Sequence, residues 1–295
     1  MTFSQFLQYL VAGVTTVSIY ALTALGFTLI YNATDIINLA QGEFVMLGGL
    51  VAISFSKAGL PLPVCFFGSV AVVTVVGVVF EQMAIKPLLG ASVLAQIIVT
   101  IGASLALQTA AMLIWGRDSL PLPHFSGETP IMLGGAAILP QTLWVLGLTL
   151  VIVVALQYFY RRTVTGKAVR ACSVNPTAAR LMGISYGRVV LLSFAVSAAI
   201  SAAGGVMIAP ISFMGYTNGA MFGLKGFAAA VLGGLGNPAG AVAGGIFLGV
   251  IEALTMGLPI SGSSGYRDAV SFLILLVVLF VRPTGLFGSK RVEKV

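Results

Sequence analysis

The side chains that could do chemistry are sparse in this chain, and the densest group of them is basic. The segment 161–188 contains no Asp or Glu, and uncharged runs, 129–160 and 189–224, flank it. Spaced cations among small residues predict a short helix at a membrane surface that contacts a soluble partner. Basic loops stay on the cytoplasmic side of a membrane. The basic residues of this segment, hereafter the basic island, are Arg161, Arg162, Lys167, Arg170, Arg180 and Arg188.

A polar break between two apolar runs, residues 32–43, is the second feature that could do chemistry. Non-helical backbone at membrane depth is tolerated where it lines a cavity. The break is therefore either part of a solute pathway or an ordinary cytoplasmic connection. On the first interpretation, the pathway is lined by the short Gly-rich segments and by Asn38, Gln41, Glu43 and Lys225. Lys225 opens the second of those segments on the external side, where it could also simply extend its ammonium to the interface.

Two carboxylates, Glu81 and Glu252, stand close to the ends of apolar segments. Intramembrane carboxylates are functional candidates by default. A position near a segment end favours an interfacial location over a buried proton relay.

The sequence contains no residue pattern typical of an enzyme active site. No metal-ligand set, nucleophile–base pair or paired-carboxylate site is present, and the single His124 is assigned no role. The run 234–239 (GLGNPA) fits a loose dinucleotide pattern, but no strand precedes it. Gly166 and Lys167 resemble the end of a P-loop, yet Arg161 stands where that motif requires Gly. We therefore predict that the chain is not an enzyme and binds no cofactor, metal or ATP of its own.

Composition assigns the chain to the polytopic membrane proteins. It is 58% hydrophobic and 8% charged, against about 25% charged in a typical soluble domain. Its aromatic residues lie inside apolar runs, which argues against nucleic-acid binding. Because a spanning helix needs roughly 20 apolar residues, we predict a single all-α polytopic membrane domain over 1–295 with eight or nine segments, two of them too short to cross alone. The nine predicted segments are 6–30, 42–56, 62–85, 93–115, 139–160, 189–209, 226–236, 239–257 and 267–282.

The positive charges also predict the topology. The basic island and the basic tail both belong inside, so five segments before the island place the N-terminus and the loop 116–138 outside. Cys65 and Cys172 then lie in different compartments and do not pair. The first apolar run lacks a charged n-region and is interpreted as a retained helix.

A repeated sequence pattern supports this topology. GEFVMLGGL at 42–50 is followed by a late Glu81, and GFAAAVLGGL at 226–235 by a late Glu252. Five crossings separate the copies, which predicts an inverted repeat, an arrangement that recurs in transporters. The copies would be 6–115 and 189–282, joined by a linking helix at 139–160 and the basic island.

Four motifs in order resemble one family, the branched-chain amino acid ABC permeases, over essentially the whole chain. They are GKAVRACSVNPTAARLMGI at 166–184, NLAQGEFVMLG at 38–48, LKGFAAAVLGGLGNPAGAVAGG at 224–245 and RPTGLFG at 282–288.

The resemblance implies the permease subunit of a bacterial inner-membrane importer. Two cytoplasmic ATPase subunits would hydrolyse the ATP, a second permease subunit would complete the membrane part, and an external binding protein would deliver the substrate. It implies that a coupling element docks on the ATPases. That element comprises Gly166, Lys167, Arg170, Asn175, Ala178, Ala179 and Gly183. Within it, Asn175 suits a helix cap and Pro176 the first helical turn, and we expect Ala178 and Ala179 to offer a small docking surface.

Alternatives stay open at this stage. Relatives in the family move urea, amides or other small solutes. An ion-coupled secondary transporter would need more intramembrane carboxylates than this chain has, and a scaffold or channel subunit is a third class.

Overall fold

The computed structural model describes residues 3–127, 129–133, 136–256 and 263–288, and this part of the chain is almost entirely helical. A π-helical turn (Glu81–Ile85) and a 3-10 turn (Lys86–Leu88) extend the third helix, and Ile131–Leu133 pairs antiparallel with Ala136–Ile138 as strands β1 and β2. The helices are α1 Phe3–Thr34, α2 Gln41–Lys57, α3 Leu62–Phe80, α4 Val93–Trp115, α5 Pro140–Arg162, α6 Val164–Val174, α7 Pro176–Leu181, α8 Tyr186–Ser212, α9 Asn218–Gly233, α10 Pro238–Met256 and α11 Ser263–Val281.

Six of these helices are long and apolar enough to cross a membrane: α1, α3 with its extension, α4, α5, α8 and α10. The helices α2 and α9 are shorter, with 17 and 16 residues. The prediction of an all-α polytopic membrane protein is confirmed.

Burial divides the spans into a central and a peripheral group. The most apolar window of α1 is 89% buried and that of α8 is 72% buried, whereas α3, α4 and α5 bury only 17–22%. Large apolar side chains such as Phe67, Leu113 and Leu150 are exposed on the peripheral helices. In a bilayer these side chains meet lipid, which is as apolar as they are. The polar and small residues are concentrated instead where α1, α2, α8, α9 and α10 meet.

One end of the bundle carries the N-terminus and the loop between α4 and α5. The side chain of Gln8 donates to and accepts from the backbone of Ala137 in β2. Leu120, in the same loop, forms a β-bridge with Met214 after α8. We call this the hairpin end.

The opposite end carries the basic island and the segment that follows α11, as far as Gly288. The N–H of Leu286 donates to the carbonyl of Leu232 at the end of α9, and a side chain at Gly236 would contact Asn32 near the end of α1. Since α6 packs on both α5 and α1, the island lies at this end too. The start of α1 and the segment up to Gly288 therefore lie at opposite ends of the bundle; which end is external stays a prediction.

Helix packing follows the predicted repeat. The extensive contact of α1 with α10 has its counterpart in that of α8 with α3, and α2 on α8 corresponds to α9 on α1. The short helices α2 and α9 cross where Gly42 lies against Gly223, with no room for a side chain at Gly42. The packing therefore makes Gly223 the equivalent of Gly42. The repeated sequence pattern instead aligns Gly42 with Gly226, which lies about one helical turn later.

The second copy differs from its prediction in one respect. The segment predicted to begin at residue 226 is a helix from Asn218, so the break that precedes it is shorter than expected and Lys225 lies within α9 rather than at its start. The cause is the crossing with α2, where Gly219 and Gly223 provide the close approach that packing requires.

Candidate functional site

The basic island folds into the two short helices α6 and α7, and each begins at a capped residue. The hydroxyl of Thr163 accepts a hydrogen bond from the N–H of Gly166 at 3.0 Å. The side-chain oxygen of Asn175 accepts one from the N–H of Ala178 at 2.9 Å, with Pro176 as the first helical residue. These bonds satisfy N–H groups that a helix start leaves without partners. The predicted cap and first turn of α7 are confirmed.

The end of α7 needs a glycine. Gly183 has φ +83°, in the left-handed region, and the N–H of Ile184 donates to the carbonyl of Ala179 at 3.0 Å. A residue of this conformation closes a helix and turns the chain away from its axis. The turn leads directly into α8, a central helix of the bundle.

Side-chain exposure divides the predicted coupling residues. Gly166 is buried against the backbone of Phe159, so closely that a side chain at this position would overlap it. The expectation that Ala179 offers a docking surface is wrong, because it is 4% exposed and packs with Tyr160 and Val169 beneath the helices. Ala179 thus lies on the covered side of α7, which packs against α6 and α8. The coupling residues that are exposed are Lys167, Arg170, Asn175, Ala178 and Gly183.

The outer surface of α6 and α7 includes apolar side chains that sequence reasoning did not identify. Val174, Leu181 and Met182 are 77–84% exposed. They follow the buried residues Cys172 and Ala179 by two or three positions, so the helical period could have indicated that they face outward. We call these three residues, together with Lys167 and Arg170, the outer island surface. An apolar centre with charged neighbours is the composition of a docking site.

The predicted pathway residues lie inside the bundle. Asn38 and Gln41 are 1% and 0% exposed, and Glu43 and Lys225 are 0% and 4% exposed. Each one contacts a different set of helices. Whether they line a solute route stays a prediction, since a route along them would require these helices to separate.

Gln41 joins α2 to α8. Its amide nitrogen donates to the Ser201 hydroxyl at 2.6 Å, and its amide oxygen accepts from Ser197 at 3.0 Å. Ser197 is also 2.9 Å from the carbonyl of Gly26 in α1. Asn38 acts locally, because its side-chain oxygen accepts from the N–H of Ala40 at 3.1 Å. The polar break thus returns the chain into the bundle, where Gln41 bonds to α8, while the Asn38 amide nitrogen is buried without a hydrogen-bond partner among the described residues.

Glu43 joins α2 to α4. Its Oε1 accepts hydrogen bonds from Ser104 and from Gln108, both at 2.8 Å. Its Oε2 faces Gly219 of α9, where any side chain would overlap the carboxylate. Glu43 also lies in the first turn of α2, where the helix dipole favours a negative charge.

Lys225 and Glu252 form an ion pair inside the second copy. Their Nζ and Oε1 atoms are 2.8 Å apart, and the hydroxyl of Tyr20 donates to Oε2 of the same carboxylate at 2.8 Å. The pair links α9, α10 and α1. Glu252 and Lys225 are thus buried within the protein, whereas the expected interfacial depth of Glu252 in the membrane stays a prediction. Glu81 is likewise buried, at 1% exposure. A segment end in the sequence is still inside the protein where neighbouring helices extend past it.

These observations define a helical membrane protein with a two-copy bundle, a polar interior and an exposed island at one end. Within the described residues, no group of three metal-ligating side chains comes together. The arrangement is that of a transport protein's membrane subunit.

Comparison with known proteins identifies the family. A family model described as branched-chain amino acid transport system / permease component matches residues 9–279. The chain is 35% identical over 311 residues to the high-affinity branched-chain amino acid transport system permease protein LivH of Salmonella typhimurium, with 99% of both chains covered. It is 35% identical to the corresponding protein BraD of Pseudomonas aeruginosa over 98% of both chains. The chain belongs to this permease family, and the resemblance of its motifs is confirmed.

A solved structure supports the fold. PsaBC from Streptococcus pneumoniae, in complex with Fab, superposes with a TM-score of 0.50 at 12% identity, covering 95% of this chain and 92% of the other. At this identity the similarity concerns the fold alone.

Proposed function

We propose that the chain is the translocation subunit of an importer for branched-chain amino acids. The observation that carries the proposal is the full-length similarity to LivH and BraD, whose names state this substrate class. The motifs in the island, the polar break and the Gly-rich α9 all fall within the matched region. A multi-pass bundle with a polar interior is consistent with a solute route.

Coupling to ATP hydrolysis would occur at the outer island surface. Leu181 and Met182 expose apolar area that a protein partner can cover, while Lys167 and Arg170 supply charge for its rim. Apolar contacts supply most of the affinity at such interfaces, and rim charges mainly set orientation and association rate. The partners would be two cytoplasmic ATPase subunits, a second permease subunit and an external binding protein.

The orientation follows from charge. If the island and the tail face the cytoplasm, the hairpin end faces outward, with the N-terminus beside it. The membrane would be the bacterial inner membrane. Motion of the ATPases would then move α7, and the turn at Gly183 would pass that motion to α8 and the two copies.

The test is uptake in cells that lack their own branched-chain amino acid permeases and express this chain with the importer genes adjacent to its own. We expect uptake of labelled leucine that excess isoleucine or valine inhibits. Inhibition by urea or short amides alone would contradict the substrate, and uptake that persists without any ATPase subunit would contradict the class.

Met182→Glu tests the coupling surface directly, with Met132→Glu as its matched control. Both methionines are exposed, at 83% and 70%, but Met132 lies at the hairpin end. A carboxylate at Met182 would be buried unpaired beneath the partner, so we expect loss of ATPase copurification and at least a tenfold loss of uptake, roughly 1.4 kcal/mol or more. ATPase copurification should survive in Met132→Glu. Equal copurification in both variants would place the ATPase contact elsewhere.

A further inference from the structure

A half-open cavity of about 640 Å³ lies at the island end, between the extension of α3, the loop after α7 and the start of α8. Its volume is that of a site for a small molecule or a lipid headgroup. It is separate from the outer island surface, because none of Val174, Leu181 or Met182 lines it.

Three cations from three different segments line this cavity: Lys86 from the extension of α3, Arg180 from α7 and Arg188 from α8. The guanidinium of Arg180 lies over the ring of Tyr186, 4.5 Å from its centre, which fixes its direction. Among the described residues, none of the three cations has a carboxylate within ion-pair distance. Arg guanidinium groups held in this way are well suited to phosphate oxygens.

One carboxylate belongs to the same cavity. Glu81 is 1% exposed and acts electrostatically on Lys86 without forming an ion pair with it. A second carboxylate, that of Asp35, acts electrostatically on Tyr186 in the cavity wall. Three cations against these two carboxylates leave the cavity positive. An anionic ligand is therefore favoured over a cationic or zwitterionic one.

The position of the cavity in the membrane selects among anionic ligands. The span of α3 with its extension ends at Leu88, and the span of α8 begins at Tyr186. Both lie at the cavity, which places its cations at the level of the lipid headgroups. Apolar side chains, Leu89, Ile184 and Leu191, form the remainder of the wall and can accompany the start of an acyl chain. Basic pockets between membrane helices on the cytoplasmic side are known sites for anionic headgroups.

We propose that this cavity binds the phosphate-bearing headgroup of an anionic phospholipid. Lys86 and Arg188 contact the phosphate from two sides, and Arg180 contacts it from α7. The lipid thereby links the end of α3 to α7. It lies at the turn between α7 and α8, where the proposed function places the motion of the island. This site goes beyond the proposed transport function, which does not require it.

The experiment measures lipid retention by the full-length chain. The protein is purified from phosphatidylcholine vesicles with or without phosphatidylglycerol, and the bound lipid is counted by native mass spectrometry. We expect phosphatidylglycerol to be retained in preference to phosphatidylcholine. Arg188→Gln should weaken retention about fivefold, and adding Lys86→Gln should weaken it about fivefold again, since each cation near an anionic headgroup contributes about 1 kcal/mol. The matched control is Arg117→Gln, an exposed arginine at the hairpin end, which should retain lipid like the unmodified protein.

Three outcomes would overturn the proposal. Equal retention in Arg188→Gln and Arg117→Gln would show that the cavity does not select the lipid. Binding of inorganic phosphate without any preference for phosphatidylglycerol would identify a site for a soluble anion. Complete displacement of the lipid by the purified ATPase subunit would assign the cations to an acidic rim of that partner. None of these readouts depends on uptake, so the proposed transport function can fail or hold independently.

Discussion

Replacing Lys225 by Met tests how strongly the buried ion pair stabilises the second copy. The ammonium and carboxylate are 2.8 Å apart and both residues are buried. At that distance, an effective dielectric constant of about 20 gives an attraction of roughly 6 kcal/mol, which desolvation largely offsets. Removing one member of such a pair costs about 3–5 kcal/mol, because the remaining charge loses its partner in a low-dielectric interior. Lys225→Met should therefore lower the melting temperature of the detergent-purified protein by roughly 6–20 °C.

A double-mutant cycle isolates the cause. Glu252→Gln removes the charge but can still accept the hydrogen bond from Tyr20. Combined with Lys225→Met, it should restore more than half of the lost stability, since a neutral amide needs no ammonium beside it. Lys57→Met, at an exposed lysine, is the matched control and should melt like the unmodified protein. The reasoning is refuted if Lys225→Met melts like Lys57→Met, or if the double variant is no more stable than Lys225→Met.

Two further predictions concern the island and the topology. Ala179→Glu should disrupt the packing of α7 on α6 and α8, because it places an unpaired charge and added volume in a buried site, whereas Ala178→Glu points outward and should leave the packing intact. The buried Cys172 reports the difference: burial raises the pKa of its thiol, against the opposing effect of Arg180, so alkylation is slow until the packing opens. Slow alkylation in both variants would contradict the buried position of Ala179. A tag at the N-terminus should be accessible from outside intact cells and a tag at the C-terminus only after permeabilisation; the reverse pattern would contradict the orientation.

Composition and local pattern were sufficient for the membrane class and for most helix positions. Apolar runs of membrane-spanning length predicted α1, α3, α4, α5, α8 and α10 within a few residues, because a helix in lipid must satisfy its own backbone. Local chemistry was equally sufficient for the start of α7, where Asn175 and Pro176 act within a single turn. The order of motifs along the chain identified the family before any contact was known.

Tertiary structure decided what faces the inside and what faces out. Ala178 and Ala179 are neighbours of the same type, yet only one is exposed, since the packing of α6 and α8 determines which face of α7 is covered. Lys225 and Glu252 are 27 positions apart, and no local pattern indicates that α9 and α10 bring them within 2.8 Å. The glycines of α9 read as a break in sequence and act as a helix-crossing surface in the fold. In each case the deciding quantity is distance between segments remote in the chain, which only the packing of the whole bundle determines.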